Sequence, residues 1–278
     1  MTTYNAPRQT TGRLRRPFGG LYYEVTGQGP ALVFAHGLGG NHLSWWQQVG
    51  HFAARYTCVA FAHRGFAPSD AVPGGPDPAD YTDDLAALID HLDFSDVRLV
   101  GQSMGGWSTL EYAIANPSRV AALVLSSTSG TLDRRACDPS GGAAYDAWLH
   151  EATAKIAAGA ARGVHPAMGM PAAERQPALH LLYQSIDRMA GALDKEKLRA
   201  GLRRTARRTL ADLADFRVPT LLIAGGEDVV FPPFLASAIA TTLPCGESRM
   251  IAECGHSPYF EQATTFNGLV DEFLSRRR

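Results

Sequence analysis

The sequence predicts a doubly wound α/β fold, a mostly parallel sheet with helices on both faces, interrupted by one helical insert. Three observations carry this. Short runs that are apolar on successive positions recur along the chain, as strands covered on both faces require. Amphipathic stretches alternate with them through short connections. One region of about 80 residues, 131–211, contains no strand-like run and reads as helical.

Ala31–Ala35 (ALVFA) is the first clear strand, with the turn residues Gly27-Gln28-Gly29-Pro30 before it and His36-Gly37 after it. Cys58–Ala62, Val97–Val100, Ala121–Leu125, Thr220–Ala224 and Arg249–Ala252 follow. Tyr81–Leu92 reads as a helix with Asp83 and Asp84 at its positive end. Met104–Ala115 reads as a second, stopped at Asn116-Pro117. Phe260–Leu274 closes the chain as a helix running into Arg276-Arg277-Arg278. In the insert, Pro139, Pro166, Pro171 and Pro177 punctuate an Ala- and Arg-rich stretch. Leu198, Leu202, Ala206, Leu210 and Leu213 fall on one helical face. The segment is longer than a loop, so residues 1–130 and 212–278 form the core and 131–211 a helical cap.

Composition narrows the function. Of 278 residues, 45% are hydrophobic and 19% charged, and the net charge is −1. That balance argues against nucleic-acid and membrane-surface binding. No apolar run approaches the roughly 20 residues of a spanning helix. Met1–Gly20 lacks the apolar core of a secretory signal, so the expected compartment is the cytoplasm. Cys58, Cys137, Cys245 and Cys254 form no CxxC pair and read as reduced packing thiols.

The sharpest motif is Gly101-Gln102-Ser103-Met104-Gly105, which fits G-x-S-x-G between a strand and a helix. A serine there sits on a tight, strained turn with its hydroxyl clear of the sheet. Glycines on either side remove Cβ atoms where backbone segments crowd. His36-Gly37-Leu38-Gly39-Gly40 follows the first strand at its carboxyl end, where ligands bind in such sheets. The N–H groups of Leu38 and Met104 are therefore the candidate oxyanion hole. His36 reads as a residue that holds its loop, as do His63 and Arg64. The run lacks the last glycine of a dinucleotide fingerprint, and there is no P-loop lysine.

On such an elbow the acid and the histidine follow the serine in that order. Thr220–Ala224 empties into Gly225-Gly226-Glu227-Asp228, and Arg249–Ala252 into Glu253-Cys254-Gly255-His256. Asp228 is the candidate acid, with Glu227 and Asp133 as competitors. His256 is the candidate base. No histidine spacing supports a metal.

Five segments, HGLGG at 36–40, HRGFAPSD at 63–70, GQSMGG at 101–106, GGEDVVFPP at 225–233 and ECGHSPYFEQ at 253–262, occur in the order of the α/β-hydrolase superfamily. The chain resembles its cap-bearing, esterase-like bacterial members. The resemblance implies an eight-stranded, mostly parallel sheet, no cofactor, and a triad of Ser103, Asp228 and His256. It points to ester or lactone hydrolysis of a small-molecule substrate. A monomer or homodimer is expected, since an apolar cap can also pack on itself. Relatives that cleave C–C bonds of vinylogous diketones carry Asn before the serine and Trp after the histidine, where this chain has Gln102 and Ser257. Non-catalytic binding relatives form a further alternative. Arg199, Arg203 and Arg207, with Arg204 and Arg208, read as a solvated face rather than a carboxylate site. Trp45, Trp46, Trp107, Trp148, Met168 and Met170 are candidates for pocket lining or for packing.

Overall fold

Eight strands form one sheet in the order β1-β2-β4-β3-β5-β6-β7-β8 in the computed structural model, which describes residues 8–276. The first seven residues of the leader reading and the last two arginines of the tail lie outside the described residues. The strands are β1 (Gln9–Arg16), β2 (Gly19–Thr26), β3 (Ala31–Ala35), β4 (Thr57–Phe61), β5 (Val97–Gln102), β6 (Val120–Ser126), β7 (Thr220–Gly225) and β8 (Gly246–Ile251). From β4 to β8 every pairing is parallel. The hairpin β1–β2 and its pairing with β4 are antiparallel.

All six expected strands form. Their apolar runs reflect burial on both faces, since successive side chains point to opposite sides. Val33, Val59, Leu99 and Leu222 meet Leu88, Leu110 and Leu235 on one face. Leu32, Phe34, Val100 and Ile223 meet Phe52, Phe266 and Phe273 on the other. β8 begins three residues before the expected Arg249 because its first positions are half-exposed and polar. β1 and β2 were not expected. β1 carries Arg13, Arg15 and Arg16 on an exposed edge, where charge discourages further pairing.

The helices are α1 (Trp46–Phe52), α2 (Tyr81–His91), α3 (Gly105–Ala115), α4 (Ala143–Ala161), α5 (Met170–Arg175), α6 (Pro177–Arg188), α7 (Lys195–Thr205), α8 (Pro233–Thr242), α9 (Pro258–Glu261) and α10 (Ala263–Ser275). The expected closing helix is thus two helices, broken at Gln262, whose φ −132° and ψ 56° are not helical. The expected leucine stripe is also divided. Leu198 and Leu202 are buried on α7, but the chain leaves the helix at Ala206 with ψ 80°. Leu210 and Leu213 belong to a separate short turn, opened by Thr209 and Asp212 in a reciprocal cap. Arg207 accordingly lies off the helix that bears Arg199 and Arg203.

The chain leaves the sheet after β6 and returns before β7 at one place. Leu132 and Arg208 form an isolated parallel bridge. Arg208 N–H donates to Thr131 O at 3.0 Å, and Asp133 N–H to Arg208 O at 2.8 Å. The Arg208 guanidinium grips Glu111 of α3 at 2.5 and 2.6 Å.

The loops over the sheet are held by buried charge. Asp84 of α2 is inaccessible and accepts from Arg64 at 2.6 and 2.7 Å and from Arg16 at 2.8 Å. Asp84→Ala leaves two guanidinium groups without it. The expected loss is about 3–5 kcal/mol, as for other buried pairs broken on one side. A drop in the urea midpoint at unchanged slope is the measurement that checks it.

No helix among the described residues is long and apolar enough to cross a membrane. The four cysteines are unpaired, three of them buried and Cys245 half-buried.

Candidate active site

β5 runs straight into the elbow. Ser103 takes φ +48°, the left-handed region that costs an L-residue energy, and its N–H is anchored on Ser126 O of β6 at 3.0 Å. Gly105 has to lack a side chain, since a Cβ there would lie 2.1 Å from Ala35 O. This close approach lets α3 start directly behind β3. The result lifts the half-buried Ser103 hydroxyl at the carboxyl edge of the sheet.

Two further loops converge on it. His256 Nε2 lies 2.8 Å from Ser103 Oγ, and His256 Nδ1 lies 2.8 Å from Asp228 Oδ2. Asp228 Oδ1 accepts from the N–H groups of Val230 and Phe231 at 2.7 and 2.8 Å. Both carboxylate oxygens are thereby committed, which fixes the plane presented to the imidazole. The loops after β7 and β8 are brought together by Gly225, where a Cβ would sit 1.9 Å from Gly255 O. The competing acids are elsewhere. Glu227 is exposed, and Asp133 is exposed and caps its own turn through Arg135 and Ala136 N–H.

The candidate oxyanion donors flank this group. Met104 follows Ser103 at the start of α3, and Leu38 lies in the turn closed by Gly40 N–H to Gly37 O at 3.0 Å. Among the described residues neither amide is spent on an intramolecular hydrogen bond. Leu38 and Met104 pack with Phe66, Tyr81, Trp107, Leu198 and Leu202. Trp107 of α3 also donates to Thr205 Oγ1 of α7 at 3.1 Å. The elbow and the insert therefore share an apolar cluster.

His36 does hold its loop. Its Nδ1–H donates to Gly37 O at 2.8 Å and its Nε2 accepts from His63 N–H at 2.9 Å. Burial, reinforced by the neighbouring His63, pushes its pKa well down, so it is neutral. Burial likewise pulls His63 down to about 3. Arg64 secures the same region through Asp84 and Asp80.

The remaining candidates separate by burial. Trp45 is buried against Phe34 and Tyr259, whereas Trp46 is 50% exposed. Trp148 stands half-buried near Tyr145. Met168 is buried and Met170 half-buried. Arg203, Arg204 and Arg207 are exposed, and Arg199 pairs with Glu196, as a solvated face requires, but Arg208 departs from that reading, half-buried and paired with Glu111.

Two residues of the site were not recognised from sequence. Gln102 Nε2 donates to His256 O at 3.0 Å, tying the elbow to the histidine loop. Glu261 is buried and accepts from the N–H groups of Gly255 and Ser257 at 2.8 and 3.0 Å. Its signal was present: a carboxylate set directly behind the apolar Pro258-Tyr259-Phe260 must find partners when buried.

A strained serine at the edge of a doubly wound sheet, with an imidazole and a carboxylate in line, defines a class of fold and site together. The family model of the alpha/beta hydrolase fold matches residues 30–263, and the chain belongs to that family. It is similar to "Putative non-heme bromoperoxidase BpoC" of Mycobacterium tuberculosis strain H37Rv, 29% identical over 274 residues, covering 92% of this chain and 97% of that protein. Among solved structures it is similar to the esterase RhEst1 from Rhodococcus sp. ECU1013, at 25% identity and TM-score 0.75, covering 99% of this chain and all of that one (100%). The 2-hydroxy-6-oxo-6-phenylhexa-2,4-dienoate hydrolase from Rhodococcus sp. strain RHA1 shares the fold, with TM-score 0.76 at 19% identity, covering 97% of this chain and 99% of that one.

Proposed function

We propose that this protein is a serine hydrolase that cleaves carboxylic esters or lactones of small to medium size through an acyl-enzyme on Ser103. The observation that carries the reading is the unbroken line Ser103 Oγ, His256, Asp228 Oδ2, with 2.8 Å at each contact. In it, Nδ1–H of His256 donates to Asp228, leaving Nε2 free to take the serine proton. Ser103 Oγ attacks the carbonyl carbon as its proton passes to Nε2. The oxyanion forms beside the uncommitted N–H groups of Leu38 and Met104. Collapse expels the alcohol, which takes the proton from Nε2. Water then repeats the sequence on the acyl-enzyme and frees the acid. Each oxyanion donor contributes about 100- to 1,000-fold in rate.

Residues 131–211 act as a cap in this reading. Leu198 and Leu202 of the insert, packed with Leu38 and Met104, favour an apolar acyl group over a charged one. The expected result is turnover of p-nitrophenyl esters in a series from acetate to decanoate, with one preferred chain length. Folded protein that turns over no member of the series would sink the ester reading. Vinylogous diketones are then the next substrates to test, although Gln102 and Ser257 depart from the C–C hydrolase pattern.

A further inference from the structure

Glu261 ends α9 with 4% of its surface exposed. Its carboxylate is matched by three backbone N–H groups. Oε2 accepts from Gly255 at 2.8 Å and from Gly169 at 3.1 Å, and Oε1 accepts from Ser257 at 3.0 Å. Gly255 and Ser257 flank His256, so one charged group holds the peptide on both sides of the imidazole. Gly169 comes from the insert, between Met168 and Met170. There the two backbones touch: a Cβ on Gly255 would lie 2.1 Å from Gly169 N.

A buried carboxylate carries a desolvation cost, and capping a turn needs only one of these three bonds. The third bond leaves the histidine loop altogether and ends on the insert. We propose that Glu261 is a positioning residue for His256 and the tie through which the insert sets the place of the histidine. The proposal rests on the reading of Ser103 and His256 as nucleophile and base.

Burial pushes the Glu261 carboxyl up, and the three N–H groups oppose that shift. The titratable groups that face it are Asp228 from the loop after β7, Cys254 from the loop after β8, Tyr183 from α6 and Tyr259 from α9 itself.

The test uses Glu261→Gln and Gly169→Ala in the full chain, assayed on the best p-nitrophenyl ester. Glutamine keeps the shape but turns an NH₂ group toward backbone donors. Its kcat is expected to fall about tenfold or more, with KM held within about twofold. Gly169→Ala changes no charge and sets a methyl 3.0 Å from Gly255 N and 3.1 Å from Glu261 Oε2. It is expected to lower kcat about threefold or more with KM held within about twofold.

A turn-capping role alone would lower the melting temperature and leave kcat of both variants unmoved. Wild-type kcat in Glu261→Gln therefore overturns the proposal. Should that variant fail to fold, unchanged kcat in Gly169→Ala overturns it instead. A fluorophosphonate probe separates the two levels. Wild-type protein that is neither labelled at Ser103 nor active overturns the serine reading and this inference with it. Labelled, active wild type beside unaffected variants overturns this inference alone.

Discussion

Ser103→Ala is expected to lower kcat/KM for the preferred p-nitrophenyl ester by about a million-fold, leaving only what binding and the oxyanion donors supply. The loss is this large because, in the proposed acyl-enzyme route, Ser103 and His256 act as a unit across a single 2.8 Å contact. Without Oγ the imidazole has no proton to take, and water does not occupy the same in-line position. Stability separates the chemistry from the fold. Alanine keeps the strained backbone at φ +48°. Ser103→Gly, equally inactive, relieves it and is expected to be more stable by about 1 kcal/mol. Steady-state kinetics and urea melts of the two variants check both statements. Residual turnover within about a hundredfold of wild type would remove Ser103 as nucleophile.

Asp228→Asn is expected to lower kcat by about 10⁴-fold at neutral pH while KM changes little. The reason lies in how the carboxylate is shared. Oδ1 already accepts two N–H groups, from Val230 and Phe231, so an asparagine oxygen takes that side. Its NH₂ group then faces His256 Nδ1, which has to become an acceptor. The imidazole proton moves to Nε2 and points at Ser103 Oγ, so the ring donates where it has to accept. An Asp228→Asn enzyme with wild-type kcat would mean that another acid orients His256.

Much of this arrangement was legible in the order of residues. The central strands announced themselves because ALVFA and TLLIA are buried on both faces, and each empties into a turn that bears site residues. The outer strands did not. Gln9–Arg16 meets solvent on a sheet edge, so its polar pattern resembles a loop, and the strand exists only through its pairing with β2. The leucine spacing from 198 to 213 misled for the opposite reason. Periodicity continued while the backbone stopped at Ala206, where Thr205 turns its hydroxyl back on Leu202 O at 3.0 Å. The positions of Ser103, Asp228 and His256 were readable from their turns. Glu261 was only half readable: a carboxylate behind Pro258-Tyr259-Phe260 marks a buried acid, but its partners are backbone amides, which leave no mark in a side-chain pattern.

The bridge between Leu132 and Arg208 bears on how such a molecule can change over generations. The two ends of the intervening chain lie side by side, already paired to each other and clamped to α3 through Glu111. Closing a loop costs little more as it lengthens, about 0.6 kcal/mol for each doubling. Residues inserted or deleted beyond the bridge therefore leave β6 and β7 where they are. The segment can be trimmed, extended or exchanged away from Gly169, whose N–H reaches Glu261, while the two strands that carry its ends keep their places.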